Sequence, residues 1–274
     1  LPIGSQTDFK GVIDLVAMKA FLGTDTTPTD IPADMQEQAE EARMALIESA
    51  AEGNDELLMK YLDGEELTHD EIVEGLKSAL ANRTVVPVLC GSAVQNVGTA
   101  LLLDMLAAFC PSPAAVKVTA INKVTNEEVE LTPTVGGPLV VFAFKTVADP
   151  FVGKLTYFRV YSGEFYADSR VINMRTGQEE RISQLYTVRG KEQKPAGRIG
   201  PGDIGAVAKL AQTQTGDTLG DKGTPLELKG IAFPEPFYSV AISPKTKSDL
   251  DKLSSGLARL TEEDPSLRVV REAA

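Results

Sequence analysis

A single histidine and two cysteines bound the nucleophilic and metal chemistry open to this chain of 274 residues. His69 follows Thr68 and precedes Asp70-Glu71, which puts it in the first turn of a helix that Thr68 and Glu71 cap reciprocally. It reads as a solvated helix-start histidine. A zinc site built on several imidazoles is impossible. Cys90 and Cys110 stand twenty residues apart, each bordering an apolar run. That spacing fits neither a redox pair nor a metal knuckle, so buried free thiols in a reducing cytoplasm are expected. No catalytic residue and no metal-ligand set emerges from the pattern.

Four short stretches match nucleotide-site expressions, and three fail on context. Gly200-Pro201-Gly202-Asp203-Ile204-Gly205 fits G-x-G-x-x-G, a pattern that must open a helix for its N-terminus to face a pyrophosphate. Here Ala206-Val207-Ala208 follows, which reads as a strand, so a turn is expected. Asp217-Thr218-Leu219-Gly220 has the D-x-x-G form that meets Mg²⁺ and a γ-phosphate, and Thr246-Lys247-Ser248-Asp249 the [N/T]-K-x-D form that reads a base. Both stand in the wrong order and amid the wrong elements. The fourth is Gly91-Ser92-Ala93, between an apolar run and a helix, where small residues let backbone N–H groups approach a flat base edge. No G-x-x-x-x-G-K-[ST] occurs, since Gly75-Leu76-Lys77-Ser78 lacks the adjacent Gly-Lys. Without that loop nothing cradles β- and γ-phosphates.

Charge is unevenly placed. Of 27 bases and 39 acids, residues 1–85 hold 6 and 18, so the whole formal charge of −12 sits there. Residues 138–200 carry 10 bases against 6 acids. The front segment should repel phosphate backbones and the middle could touch one. No window approaches the roughly 18 apolar residues of a membrane span. The chain opens Leu1-Pro2-Ile3-Gly4, without a signal peptide or an initiator Met, and a piece of a longer protein is expected.

The elements that position these residues change character along the chain, and its length suggests two domains or three small ones. Gly11–Val16 is strand-like. Met35, Ala39, Ala42, Leu46 and Ala50 recur at helical spacing, with Glu37, Glu40, Glu41 and Glu48 on other faces. Further helices are expected over Asn54–Leu62 and after Thr68, with Ile72, Leu76 and Ala79 on one stripe. Val85–Cys90 reads as a strand buried on both faces of a parallel sheet, followed by a helix over Thr99–Phe109. The Pro111-Ser112-Pro113 stretch marks a boundary. From Val116 to about Ile231 the pattern is β. Strands are expected over Pro138–Val147, Lys154–Tyr161, Arg170–Met174, Glu180–Val188 and Ala206–Ala211, and a closed barrel follows. After a Phe233–Pro236 linker come a strand at Tyr238–Ile242, a helix over Lys247–Glu262 and a strand from Leu267. That β-α-β is the first half of a split α+β domain.

Leu1–Gly4, Phe9-Lys10-Gly11-Val12-Ile13-Asp14-Leu15 and Met18-Lys19-Ala20 resemble elongation factor G, the translocation GTPase. So do Pro87–Ala93, Asp149–Leu155, Phe158–Gly163, Pro234-Glu235-Pro236, Pro244-Lys245-Thr246-Lys247 and Glu262-Glu263-Asp264-Pro265. The resemblance runs end to end in the family's order. It implies an insert subdomain over 1–84, the last strand and helix of a P-loop-type α/β G domain over 85–113, and a β-barrel domain II over 114–232. From 233 to 274 it implies the start of a ferredoxin-like α+β domain III. It also implies a cytoplasmic, ribosome-dependent GTPase as parent, binding GTP or GDP with Mg²⁺ through residues outside this chain. The chain itself is expected to bind no nucleotide and to be inactive.

By the same resemblance Gly91, Ser92 and Ala93 contact guanine, with Ala93 N–H facing the base oxygen. Glu37, Glu40 and Glu41 are candidates for contact with the large-subunit stalk protein. Lys154, Arg159, Arg175 and Arg181 are candidates for small-subunit rRNA. Neither a membrane nor DNA is an expected partner. A non-catalytic ribosome-binding relative, or a ribosome-protection or release-type GTPase, is the alternative reading.

Overall fold

A computed structural model describes residues 1–149 and 152–270. The chain divides into two compact units, Leu1–Ser112 and Pro113–Ala274.

The first unit opens with an antiparallel sheet of β1 (Pro2–Ile3), β2 (Gly11–Asp14) and β3 (Lys19–Leu22), with β2 central. Helices α1 (Gln36–Ala51), α2 (Asp55–Leu62), α3 (His69–Ala81) and α4 (Thr99–Phe109) follow. Ala39 of α1 packs with Ile3, Ile13 and Ala20 of the sheet. The Arg43 guanidinium, one turn further along α1, donates to the Leu15 carbonyl at 2.5 Å and the Val16 carbonyl at 2.9 Å, which ties the β2–β3 turn to the helix. Small residues then let α1 meet α3. Ala50, Ala51, Gly75 and Ala79 are all buried.

Helices α2 and α3 are capped as their sequences require. Asn54 Oδ1 accepts the Glu56 N–H at 2.8 Å. Thr68 and Glu71 form the reciprocal box, with His69 exposed beside it. Glu71 also takes the Lys60 ammonium of α2 at 2.7 Å. That ammonium, with the Thr68 amide, pulls the Glu71 carboxyl from its ordinary 4.5 down to about 2. A carboxylate with a depressed folded-state pKa contributes stability above its unfolded value and loses it as pH falls through the folded one. Docking of α2 on α3 should therefore weaken between pH 4.5 and about 2. Far-ultraviolet circular dichroism of wild type and Glu71→Gln checks this: the variant should lack that part of the acid transition, and an identical acid profile would refute it.

Two expectations fail in this unit. Val85–Cys90 forms no strand and is mostly exposed, Val88 to 93%. A doubly buried parallel strand needs laddered neighbours and two covering layers, and no described strand pairs with this segment. Helix α4 is apolar nearly all round, yet it buries no residue, and Leu103 is 61% exposed. The thiols beside these runs are consequently not buried. Cys90 is half-buried and Cys110 exposed.

The second unit is built on β4 (Val118–Asn122), β5 (Glu128–Leu131), β6 (Val140–Asp149), β7 (Gly153–Ser162), β8 (Phe165–Tyr166) and β9 (Ser169–Asn173). There follow β10 (Glu179–Ile182), β11 (Leu185–Arg189), β12 (Glu192–Ala196), β13 (Arg198–Ile199), β14 (Ile204–Ala208), β15 (Thr218–Gly220) and β16 (Leu226–Leu228). Helix α5 (Leu250–Glu263) is the last regular element among the described residues. Eight strands make one antiparallel sheet in the order β10-β9-β15-β6-β7-β14-β11-β12.

The connection from β10 to β11 shapes that sheet. β10 is one edge and β11 lies next to the other, yet only Ser183 and Gln184 join them. Three residue steps reach at most about 10 Å, so the sheet must curl until its ends approach. Ile182 and Leu185, on either side of the link, are both fully buried in one core with Val141, Phe158, Val160, Phe165, Val207 and Leu219. The expected closed barrel is thus a curled half-barrel, because β10 and β12 share no ladder. Pro195 on β12 withholds one of the N–H groups that closure would use. A second layer, β16-β4-β5, covers the other face of β6 through Ala120, Leu131, Leu226 and Leu228 on Val140 and Phe142. Burial on both faces accounts for the unbroken apolar run Leu139–Ala143.

Helix α5 reaches this sheet, where Glu263 Oε1 accepts the Ala148 N–H at 2.6 Å. Of the expected β-α-β, only this helix is regular. Tyr238–Ile242 forms no strand, with Tyr238 85% exposed, and residues 267–270 are irregular. The remainder of that last strand, 271–274, lies outside the described residues, as do Pro150 and Phe151 of the Asp149–Leu155 stretch. No helix among the described residues is long and apolar enough to cross a membrane.

Candidate functional site

The Gly91–Ala93 turn is held by a pair of backbone hydrogen bonds. Ser92 N–H donates to the Val97 carbonyl at 2.9 Å and Val97 N–H returns to Ser92 at 3.0 Å. Residues 93–96 form the loop between them, all exposed, and Gly98 at φ 79° turns the chain into α4. Gly98 is required twice over: its φ is left-handed, and a Cβ there would lie 2.9 Å from the Cys90 carbonyl oxygen. The Ala93 N–H meets no acceptor among the described residues. One exposed backbone donor on a tight turn can bond a carbonyl edge. It supplies nothing for a phosphate.

The patterns set aside on context are occupied by structure. Gly202, at φ 90°, donates its N–H to Val160 at 2.7 Å and leads into β14, a sheet turn as expected. Asp217 is buried and takes Arg175 bidentately, with Nε at 2.6 Å and Nη2 at 2.9 Å. It also accepts from Asn173 Nδ2 and from the Gln214 N–H, both at 2.9 Å. Burial pushes the Asp217 carboxyl up, but these donors outweigh it and hold it below the usual carboxylate range. Such a carboxylate is committed internally and does not face a Mg²⁺. Thr246 Oγ1 bonds Asp249 at 2.6 Å ahead of α5, a local turn. Among the described residues, no group of three or more His, Cys, Asp or Glu side chains could hold a metal.

The four basic candidates do not share a face. Arg175 is the ion-pair partner of Asp217. Arg159 donates to the Gly202 carbonyl at 3.2 Å and lies 5.9 Å over the Tyr161 ring, on the side of β7 opposite Phe158 and Val160. By strand alternation Lys154 takes the other side, half-buried. Arg181 is exposed on β10, where Glu180 and Ile182 point inward, and it makes no ion pair or hydrogen bond among the described residues. In the acidic segment, Glu37, Glu40 and Glu41 are all exposed on α1 beside Met44, which is 62% exposed.

Sequence reasoning missed the buried polar cluster next to these bases. Glu180, 5% exposed, accepts from the Ala211 and Gln212 amides at 3.0 and 2.8 Å and from Thr213 Oγ1 at 2.8 Å. Asn173, also buried, accepts from the Arg175 and Thr176 amides at 3.0 and 3.2 Å. The available signal was alternation, because Ile182 facing inward places Glu180 inward too. Lys123 was missed as well. It bonds the Met174 carbonyl and Glu227, joining the small sheet to the β9–β10 turn.

Comparison with known proteins bears on the same elements. Residues 138–222, the core of the curled sheet, match the family model for elongation factor G domain 2, and residues 233–274 match that for Elongation Factor G, domain III. A crystal structure of a Thermus thermophilus protein superposes with a TM-score of 0.77 at 26% identity, over 99% of this chain. The chain spans 39% of that protein's length. This chain therefore carries, in sequence order, segments similar to elongation factor G domain 2 and domain III.

Proposed function

We propose that this chain is the central part of a ribosome-dependent translational GTPase that moves tRNA and mRNA during elongation in the cytoplasm. The observation that carries the reading is the order of its domains, a domain 2 half-barrel followed by domain III. Residues 1–84 are read as the insert subdomain and 85–113 as the end of the G domain, with Glu37, Glu40 and Glu41 offered to the stalk protein of the large subunit. The half-barrel is read as the part that meets small-subunit rRNA.

The residues present fit one portion of a guanine nucleotide. Ala93 N–H would meet the base carbonyl, and Gly91 and Ser92 would leave room for the flat ring. Among the described residues no loop cradles phosphates and no side-chain cluster holds Mg²⁺. GTP, when bound to the longer protein, supplies the energy of the cycle through groups elsewhere, and this chain's share is base recognition.

Two measurements test the reading together. Titration of the chain with labelled GTP or GDP should show no binding, because one hydrogen bond of about 1 kcal/mol cannot hold a nucleotide. Micromolar affinity would refute that division of labour. The longer protein containing the chain should hydrolyse GTP faster when ribosomes are added, and a rate indifferent to ribosomes would refute the function.

A further inference from the structure

On the outer face of the β9–β10 hairpin, Arg181 stands directly opposite Arg170 in the ladder register. Their neighbours Val171, Glu180 and Ile182 point into the core, so both guanidinium groups are on the solvent side. Like charges at directly opposed positions on one sheet face repel. The hairpin offsets this only in part. Glu179 takes Arg170 Nη1 at 2.5 Å, with the Arg170 side chain still 71% exposed, while Arg181 has no partner among the described residues. Both side chains are exposed on that outer face, so a bulky partner can reach the pair from outside.

We propose that Arg170 and Arg181 together form a clamp for one backbone phosphate of RNA. The inference rests on the ribosomal reading above and assigns the group that carries the contact. Two forked guanidinium groups offer parallel N–H donors matched to phosphate oxygens, and a bound anion removes the repulsion that the register imposes. The surrounding charge favours it, since residues 138–200 hold 10 bases against 6 acids. The neighbouring bases are less free to serve. Arg175 is neutralised by Asp217, and Arg159 is held by Gly202 and Tyr161.

The test is binding of the chain to small ribosomal subunits, and to their protein-free RNA, across a salt series. Arg181→Gln, and Arg181→Gln with Arg170→Gln, should each flatten the log–log salt slope by about one unit, the signature of one lost phosphate. Neither variant should lower the melting temperature by more than about a degree, because the substitution relieves a like-charge contact and the Arg170–Glu179 pair lost in the double variant is solvent-exposed. Unchanged slope and affinity, with wild-type binding still salt-dependent, would overturn the clamp and leave the ribosomal reading standing. A melting temperature lowered by several degrees would make the pair structural and overturn it as well. A slope lost on intact subunits but not on protein-free RNA would assign the pair to an acidic protein instead. Absence of any wild-type binding would sink the ribosomal reading itself.

Discussion

Replacing Asp217 with Ala should destabilise the second unit by about 3 kcal/mol, a cost set by the partners left behind more than by the pair removed. The Asp217 side chain is 4% exposed and Arg175 47%, so the guanidinium can turn to water once released. The buried Asn173 amide cannot do so easily. It bonds Asp217 at 2.9 Å, as does the Gln214 N–H, and its other side-chain contact is Thr213 at 3.4 Å. For a unit of this size the loss corresponds to a melting temperature lower by roughly 6–12 °C. The carboxylate's depressed pKa gives the effect a pH signature. Its contribution is present at neutral pH and is lost as pH falls below the ordinary carboxylate range, so wild type and variant should converge in acid. A melting temperature within about 2 °C of wild type at pH 7 would show that the 209–217 loop is held by other contacts.

The second large effect reverses a general rule. Gly to Ala inside a helix ordinarily stabilises by about 1 kcal/mol, because Gly has more backbone freedom to lose. At Gly75, in the middle of α3, a Cβ would lie 2.2 Å from the Ala50 carbonyl oxygen of α1. Backbone cannot yield there as a flexible side chain could, and Ala50, Ala51 and Ala79 around it are fully buried. Gly75→Ala should cost about 2–3 kcal/mol, the scale of an overpacked core, and lower the first unit's melting temperature by roughly 8–15 °C. Calorimetry decides the sign. A stabilised variant would mean that α1 and α3 do not approach as described.

Local chemistry made the helices of the first unit readable. Asn54, Thr68 with Glu71, and the spacing of Ala39, Leu46 and Ala50 each act within one or two turns, and the helices form where those residues place them. The Val85–Cys90 run misleads for a related reason. Apolar composition reports that a segment prefers burial, while the layer that would bury it is a property of other segments. The break at Ser183-Gln184 was visible in principle. A continuous strand would send Ile182 and Leu185 to opposite faces, and both are buried in the same core. The candidate bases show the opposite limit. Arg175 and Asp217 are 42 residues apart, so their pairing depends on β9 and β15 lying side by side. The opposition of Arg170 and Arg181 depends on the register that the Thr176-Gly177 turn imposes. Counting bases located the positive stretch. The sheet decides which of them remain free.

The half-barrel and the segment after it are proposed above to face the ribosome. Co-sedimentation of the chain with small ribosomal subunits, from about 50 to 200 mM salt, tests it most directly. Binding is expected at the low end and should weaken steadily, with a log–log slope of several units set by Lys and Arg contacts to phosphate. No binding at 50 mM, or binding indifferent to salt, would contradict it.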